Sequence, residues 1–261
     1  MRWPGGRAQH ACMTEFRTPA DAASAVLQNP RLPAGDDERF TGYGVLGLPF
    51  ASGHYLALRC IPSASFAPGY RSVWHRDPAG VWTFYATTPG EQSCSRYFSS
   101  ATPSDAVQCA IDVAWVTPWS LYVQIPGLLE WHLDIGATAS TRLMSQMAQR
   151  LPAAAWTNRL TLGVMGRAAG PVMGGAGQIR LSGAVPNGQR FMIAPTRFWA
   201  VTRSRAVLRS EGLGPVGPLR PQACLADFRA PQRGFFVVLA GHLETFDPSR
   251  HHAVGRTVSI G

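Results

Sequence analysis

The chain has 261 residues, 46% of them apolar and 15% charged, and no run of 18 or more apolar residues, which predicts a folded globular protein without a membrane-spanning helix. All 24 basic residues are arginine, and the absence of lysine excludes a lysine Schiff base, hence pyridoxal-phosphate chemistry and amine-based decarboxylation, as well as a Walker-type phosphate loop. The net charge of +9 accompanies heavy Arg, Ala, Gly and Pro usage; a solvated basic surface accounts for it, with an anionic small-molecule substrate and an anionic macromolecule or membrane as the other readings.

Residues 1–40 read as a flexible lead-in with one helical turn around Asp21 to Leu27, preceded by Thr18-Pro19. Met13 is an alternative start, and because no apolar stretch follows the basic Met1 to Arg7 segment, a cytoplasmic location is expected. Cys12, Cys60, Cys94, Cys109 and Cys224 are odd in number and widely spaced, which suits reduced thiols. After a polar connector at 31–39, Phe40 to Phe50 is apolar and punctuated by glycine, and His54 to Ile61 reads as a strand ended by Pro62. Arg71 to Arg76 and Val81 to Thr87 flank Asp77-Pro78-Ala79-Gly80, a type I turn signature. Simple pairing across it sets His75 opposite Trp82 and Val73 opposite Phe84, with Trp74 on the other face near Tyr85.

Val107 to Ile125 holds two strands broken at Thr117-Pro118, and Leu128 to Ile135 then alternates cleanly. On that segment Leu129, Trp131, Leu133 and Ile135 share one face and Glu130, His132 and Asp134 the other, with same-face neighbours roughly 6–7 Å apart. The period next becomes helical: Leu143, Met144, Met147, Ala148 and Leu151 mark one helix, and Pro152 stops it and opens a second carrying Trp156, Leu160 and Val164. The glycines from Gly163 to Gly177 predict tight helix packing and a turn back into sheet. Pro186-Asn187-Gly188-Gln189 signals a two-residue type I′ hairpin, followed by strands at Phe191 to Ile193 and Phe198 to Leu208; on the latter Arg203, Arg205 and Arg209 share a face that reads as a solvated edge. A Gly/Pro loop at 212–221 and closing strands at 223–230 and 234–246 precede a mobile tail at 247–261. The expected organisation is therefore a single mostly antiparallel β-barrel or half-open barrel over 41–246, with a helical insertion at 138–169 capping one mouth.

Chemistry has two candidate centres. His132, between Glu130 and Asp134, is a ready acid/base group if its face lines a cavity, and an ordinary strand exterior if it meets water. His75 is the second. Trp74, Trp82, Tyr85, Trp115, Trp131, Trp156 and Trp199 exceed what a small sandwich core needs, so either they shape an apolar ligand cavity or they pack as an aromatic core. Asp227 and Arg233 read as a structural ion pair. No His/Cys/Asp spacing matches a metal site, no cofactor motif is present, and neither a GxSxG serine, a cysteine-nucleophile motif nor a nucleic-acid module can be quoted.

With Gly53-His54-Tyr55-Leu56-Ala57-Leu58, the Val73-to-Tyr85 hairpin, Trp131-His132-Leu133-Asp134 and Pro186-Asn187-Gly188 in view, the chain resembles the lipocalin-like superfamily of carotenoid hydratases and AttH-type proteins. It is also similar, at Gly42-Tyr43-Gly44 and Pro231-Gln232-Arg233-Gly234, to an uncharacterised actinobacterial family. The first resemblance implies a barrel that binds a polyene, terpenoid, polyketide or fatty ligand and carries out hydration, isomerisation or cyclisation without a cofactor. The expectation is thus a cofactor-independent hydratase, isomerase or cyclase using His132 with Asp134 or Glu130; the alternative is a non-catalytic carrier or sensor of a hydrophobic ligand, and a third reading has the arginine-rich strand docking an acidic partner.

Overall fold

The computed structural model describes residues 18–98, 106–152, 155–156, 158–172, 175–252 and 257–259. The expected start at Met13 and residues 1–17 of the lead-in lie outside the described residues. Where one helical turn is expected, helix α1 (Pro19–Gln28) runs ten residues, because Thr18 and Asp21 form a reciprocal capping box and Pro19 occupies the first turn. Its Ala22 and Ala23 are buried against the sheet.

Strands β1 (Glu38–Pro49), β2 (Tyr55–Ala64), β3 (Tyr70–Arg76) and β4 (Trp82–Ala86) form an antiparallel meander. The β3–β4 register differs by one from simple pairing: His75 faces Thr83, Trp74 faces Phe84 and Val73 faces Tyr85. The cause is the turn. Asp77 N–H pairs with the Val81 carbonyl while Gly80 sits at φ +94, a type I turn followed by a glycine bulge that adds one residue to the loop. That shift carries Trp82 onto the same face as Trp74 and Phe84.

Two 3-10 turns (Gly90–Gln92 and Cys94–Tyr97) lead to β5 (Ala106–Gln108), β6 (Asp112–Thr117), β7 (Ser120–Ile125) and β8 (Leu129–Gly136). Helices α2 (Ala139–Arg150) and α3 (Arg159–Val172) follow, then β9 (Ser182–Ala184), β10 (Arg190–Leu208), β11 (Glu211–Gly212), β12 (Cys224–Leu225), β13 (Phe228–Arg229), β14 (Phe235–Leu243) and β15 (Thr257–Ser259). Among the described residues, thirteen strands join in one sheet whose main path runs β15-β5-β4-β3-β2-β1-β14-β10-β8-β7-β6 and curls into a half-open barrel. The two strands expected at 191–208 are one, since the ladder continues through a bulge at Thr196, directly after Pro195, which cannot donate to it.

One face of the curled sheet closes on itself around Trp131, Leu121, Val45, Leu58 and Phe236. The opposite face of β2, β3 and β4 is covered by Tyr97, Phe98, Val185, Leu219 and Leu225, and the opposite face of β10 and β14 by α2. The helical pair thus lies along the sheet's flank rather than over a mouth. Ala155 and Trp156 are helical after Pro152, α3 is capped by Asn158, and the expected stripe points outward along α3: Leu160 and Val164 are 83% and 62% exposed while Leu162 is buried. Gly166 does provide tight packing, since a Cβ there would stand 2.7 Å from the Ile179 carbonyl oxygen.

The hairpin at 185–189 repeats the geometry of the Asp77 turn, with Pro186 and Asn187 in the bend and Gly188 at φ +96, so it is not a type I′ turn. The two-residue turn with paired positive φ is instead Arg209-Ser210 (φ 50 and 69), which joins β10 to β11 without an Asn-Gly signal. Replacing this pair by Asn-Gly is expected to stabilise the protein by about 1–2 kcal/mol, a rise in Tm measurable by calorimetry. No helix among the described residues is long and apolar enough to cross a membrane.

Candidate functional site

The Glu130/His132/Asp134 face meets solvent. Glu130 and His132 are exposed, His132 tilts against Tyr122 at 4.5 Å between ring centroids, and Asp134 accepts a hydrogen bond from Ser120 Oγ at 2.8 Å. In the β8–β10 ladder Arg205 stands opposite His132 and Arg203 opposite Asp134, so these charges form a mixed outer surface rather than the lining of a cavity. Asp227 pairs with Arg180 and accepts from the Ala184 N–H.

The aromatics divide by face. Trp131 is fully buried with its indole N–H on Ser204 Oγ, and Trp115 and Trp199 pack edge-on against Phe236 in the same core. Trp156 is half-buried beside the α2 cluster, and Trp82 packs against Tyr55. Trp74 differs: it lines a partly open cavity of about 70 Å³ between β1, β2 and β3 and the segments that cover them.

That cavity is apolar except at one end. Phe40, Ile61, Phe98, Phe191 and Phe228 supply much of its wall, and the guanidinium of Arg59 is the only formally charged group among its lining residues. Arg59 is 7% exposed and lies 4.6 Å from the Trp74 ring centroid. Its Nη1 donates to the carbonyls of Val45 (2.6 Å) and Leu58 (2.9 Å), and Nη2 to that of Leu46 (3.1 Å), at the place where the β1–β2 register slips. No ion pair to Arg59 is found among the described residues. Burial pulls its pKa down from a very high ordinary value, yet guanidinium remains cationic at neutral pH.

Around Arg59 the other polar groups are neutral. Burial pushes up the Cys94 thiol, which accepts from Trp74 Nε1 at 3.0 Å, and raises Tyr70 beside it well above its ordinary value. Tyr97 is likewise raised, by burial and by Glu38, to whose Oε2 it donates at 2.5 Å. Glu38 is itself buried, held also by Arg96 at 3.0 Å and Gln189 at 3.3 Å. Sequence reasoning missed Arg59, but a signal exists: it interrupts Tyr55-Leu-Ala-Leu-Arg-Cys-Ile, a run buried on both faces where a charge is out of place.

His75 lies elsewhere, on the other face of β3, in a polar groove of about 540 Å³ at the barrel mouth with Tyr85, Thr83, Asp77, Arg209 and Glu211. Its Nε2 meets His54 Nδ1 at 2.9 Å. Burial, and then the neighbouring His54, lower the His75 pKa from 6.5 to about 4. The unfolded chain therefore takes up a proton on this residue below pH 6.5 while the folded chain resists it. His75 stabilises the fold fully above pH 6.5, and up to about 3 kcal/mol is expected to be lost as the pH falls to 4. Denaturant titrations across that window should show the slope flattened in His75→Gln.

No protein-family model and no curated protein matches the chain. Among solved structures, acetoacetate decarboxylase from Legionella pneumophila aligns over 87% of this chain and 92% of its own, with 9% identity and a TM-score of 0.40. A second acetoacetate decarboxylase structure aligns over 88% and 93%, with 8% identity and a TM-score of 0.37.

Proposed function

We propose that the cavity beside Arg59 receives the carboxylate of a small organic acid, and that the chain is a cofactor-independent enzyme of the lyase or isomerase type acting on that acid by acid/base chemistry. The observation that carries this reading is the imbalance of charge: one buried guanidinium, no carboxylate paired with it among the described residues, and apolar walls around it. Burying an ion without a counter-ion is costly, and a bound anion offsets that cost. Arg59 also stands where negative charge on a carboxylate or an adjoining enolate oxygen would be stabilised with little reorganisation. Tyr97 is the lining hydroxyl that would pass a proton to substrate carbon and take one back from water, with Glu38 holding it in place. The volume corresponds to roughly five water-sized positions, which favours an acid of few heavy atoms over a polyene or terpenoid.

A non-catalytic carrier of the same anion is the second reading, favoured by the upward displacement of Tyr70, Cys94 and Tyr97 away from neutral titration. Trp74 makes the common premise testable. Tryptophan fluorescence titrated with short mono- and dicarboxylates, 2-oxo acids and 2-hydroxy acids should change saturably, while the corresponding amides should have no effect. Equal responses to acids and amides, or none to either, would remove the anion site. Incubation of binding acids with the protein, followed by proton NMR, then separates turnover from carriage.

A further inference from the structure

The His54–His75 contact is left unused by the Arg59 cavity. Nδ1 and Nε2 are 2.9 Å apart, the ring planes lie within 18° of each other and the centroids are 5.2 Å apart. That centroid separation is what two imidazoles joined end to end through those nitrogens give, so the contact is an in-line N–H···N bond and not a face-to-face stack. Two nitrogens are aimed at one point and a single proton lies between them. The pair is assembled across strands: His75 stands opposite Leu56 on β2 and His54 precedes that strand by one residue, so the 21-residue spacing bears no metal signature.

We propose that His54 and His75 form a two-imidazole clasp for a divalent first-row transition cation, with Cu²⁺ bound most tightly and Ni²⁺ and Zn²⁺ less so, the shared proton moving to the outer nitrogen of its own ring as the cation enters. A tetrahedral centre with nitrogens at about 2.0–2.1 Å sets them about 3.3 Å apart and lies off the line between them, so the pair has to open by about 0.4 Å and each ring to turn by about 35°. His54 has room to move, being half-buried in the turn before β2, whereas His75 is fixed within β3. Asp77 and Glu211 line the same groove and bring two negative charges against the single positive charge of Arg209. Imidazole donors select these metals over Ca²⁺ and Mg²⁺, which require oxygen cages. No three His, Cys, Asp or Glu side chains are gathered as a ready-made cage among the described residues. The remaining positions therefore go to water, for which the groove has space.

The test uses the full chain at pH 7. Long-range proton–nitrogen NMR spectra of the imidazoles, titrated with Zn²⁺, should show the His54 and His75 ring nitrogens shifting together at one equivalent, with both rings then protonated only on their outer nitrogens. Cu²⁺ should give an electron paramagnetic resonance spectrum with two equatorial nitrogens. His54→Gln and His75→Gln should each weaken binding by at least roughly the 10–100-fold that loss of a ligand's outer partner costs. His251→Ala/His252→Ala should leave affinity unchanged. Unshifted His54 and His75 resonances would overturn the proposal even if both variants misfold, as would binding that survives in both variants or disappears with His251 and His252.

Discussion

Replacing Arg59 with methionine is expected to weaken binding of small carboxylates at least 100-fold, about the 3 kcal/mol that charge-assisted hydrogen bonds to a buried guanidinium supply. Methionine keeps the length and apolar stem of the side chain but cannot donate. Two effects on stability then oppose each other. The carbonyls of Val45, Leu46 and Leu58 lose their donor at the β1–β2 slip, while the penalty of an unpaired buried charge disappears. The net change in unfolding free energy should accordingly stay within about 2 kcal/mol, small enough for the variant to fold. Arg59→Lys retains the charge without the planar fork and should fall between the two in affinity. Calorimetric titration of the three proteins with one binding acid, alongside urea unfolding, separates loss of the anion site from loss of the fold.

The second large effect concerns the strand that holds Arg59 in place. A Cβ added to Gly44 would stand 2.1 Å from the Leu58 carbonyl oxygen and 2.9 Å from its carbon, both backbone atoms that no rotamer change can move. Gly44→Ala must therefore force β1 and β2 apart. A loss of about 3 kcal/mol or more is expected, which lowers Tm by roughly 6–12 °C in a chain of this size. Because Gly44 pairs with Arg59, carboxylate affinity should fall as well. Gly163→Ala provides the contrast: nothing lies within 4 Å of its added Cβ on α3, and up to about 1 kcal/mol of stabilisation is expected there.

Periodicity made the sheet legible because each strand carries its burial pattern in its own residues. Leu129, Trp131, Leu133 and Ile135 are buried in alternation as their spacing predicts, and Thr18 and Thr138 begin helices through local side-chain bonds. Register was less accessible, since one bulged glycine at position 80 moved Trp82 to the other face. The candidate site was hardest to see. Trp74 was visible as an aromatic on a hairpin, but its partners Arg59, Cys94 and Tyr97 come from different segments that meet only when the 90–98 turns fold over β2 and β3. His132, by contrast, has conspicuous titratable neighbours in sequence, yet nothing in sequence says which side of a sheet faces water.

The most direct test of the account is a crystal structure of the protein grown with a short monocarboxylate such as propanoate. The carboxylate is expected inside the cavity within hydrogen-bond distance of the Arg59 guanidinium, with its alkyl end toward Phe191 and Phe228. A cavity filled only by water at saturating acid, or an acid bound elsewhere with Arg59 untouched, would contradict it.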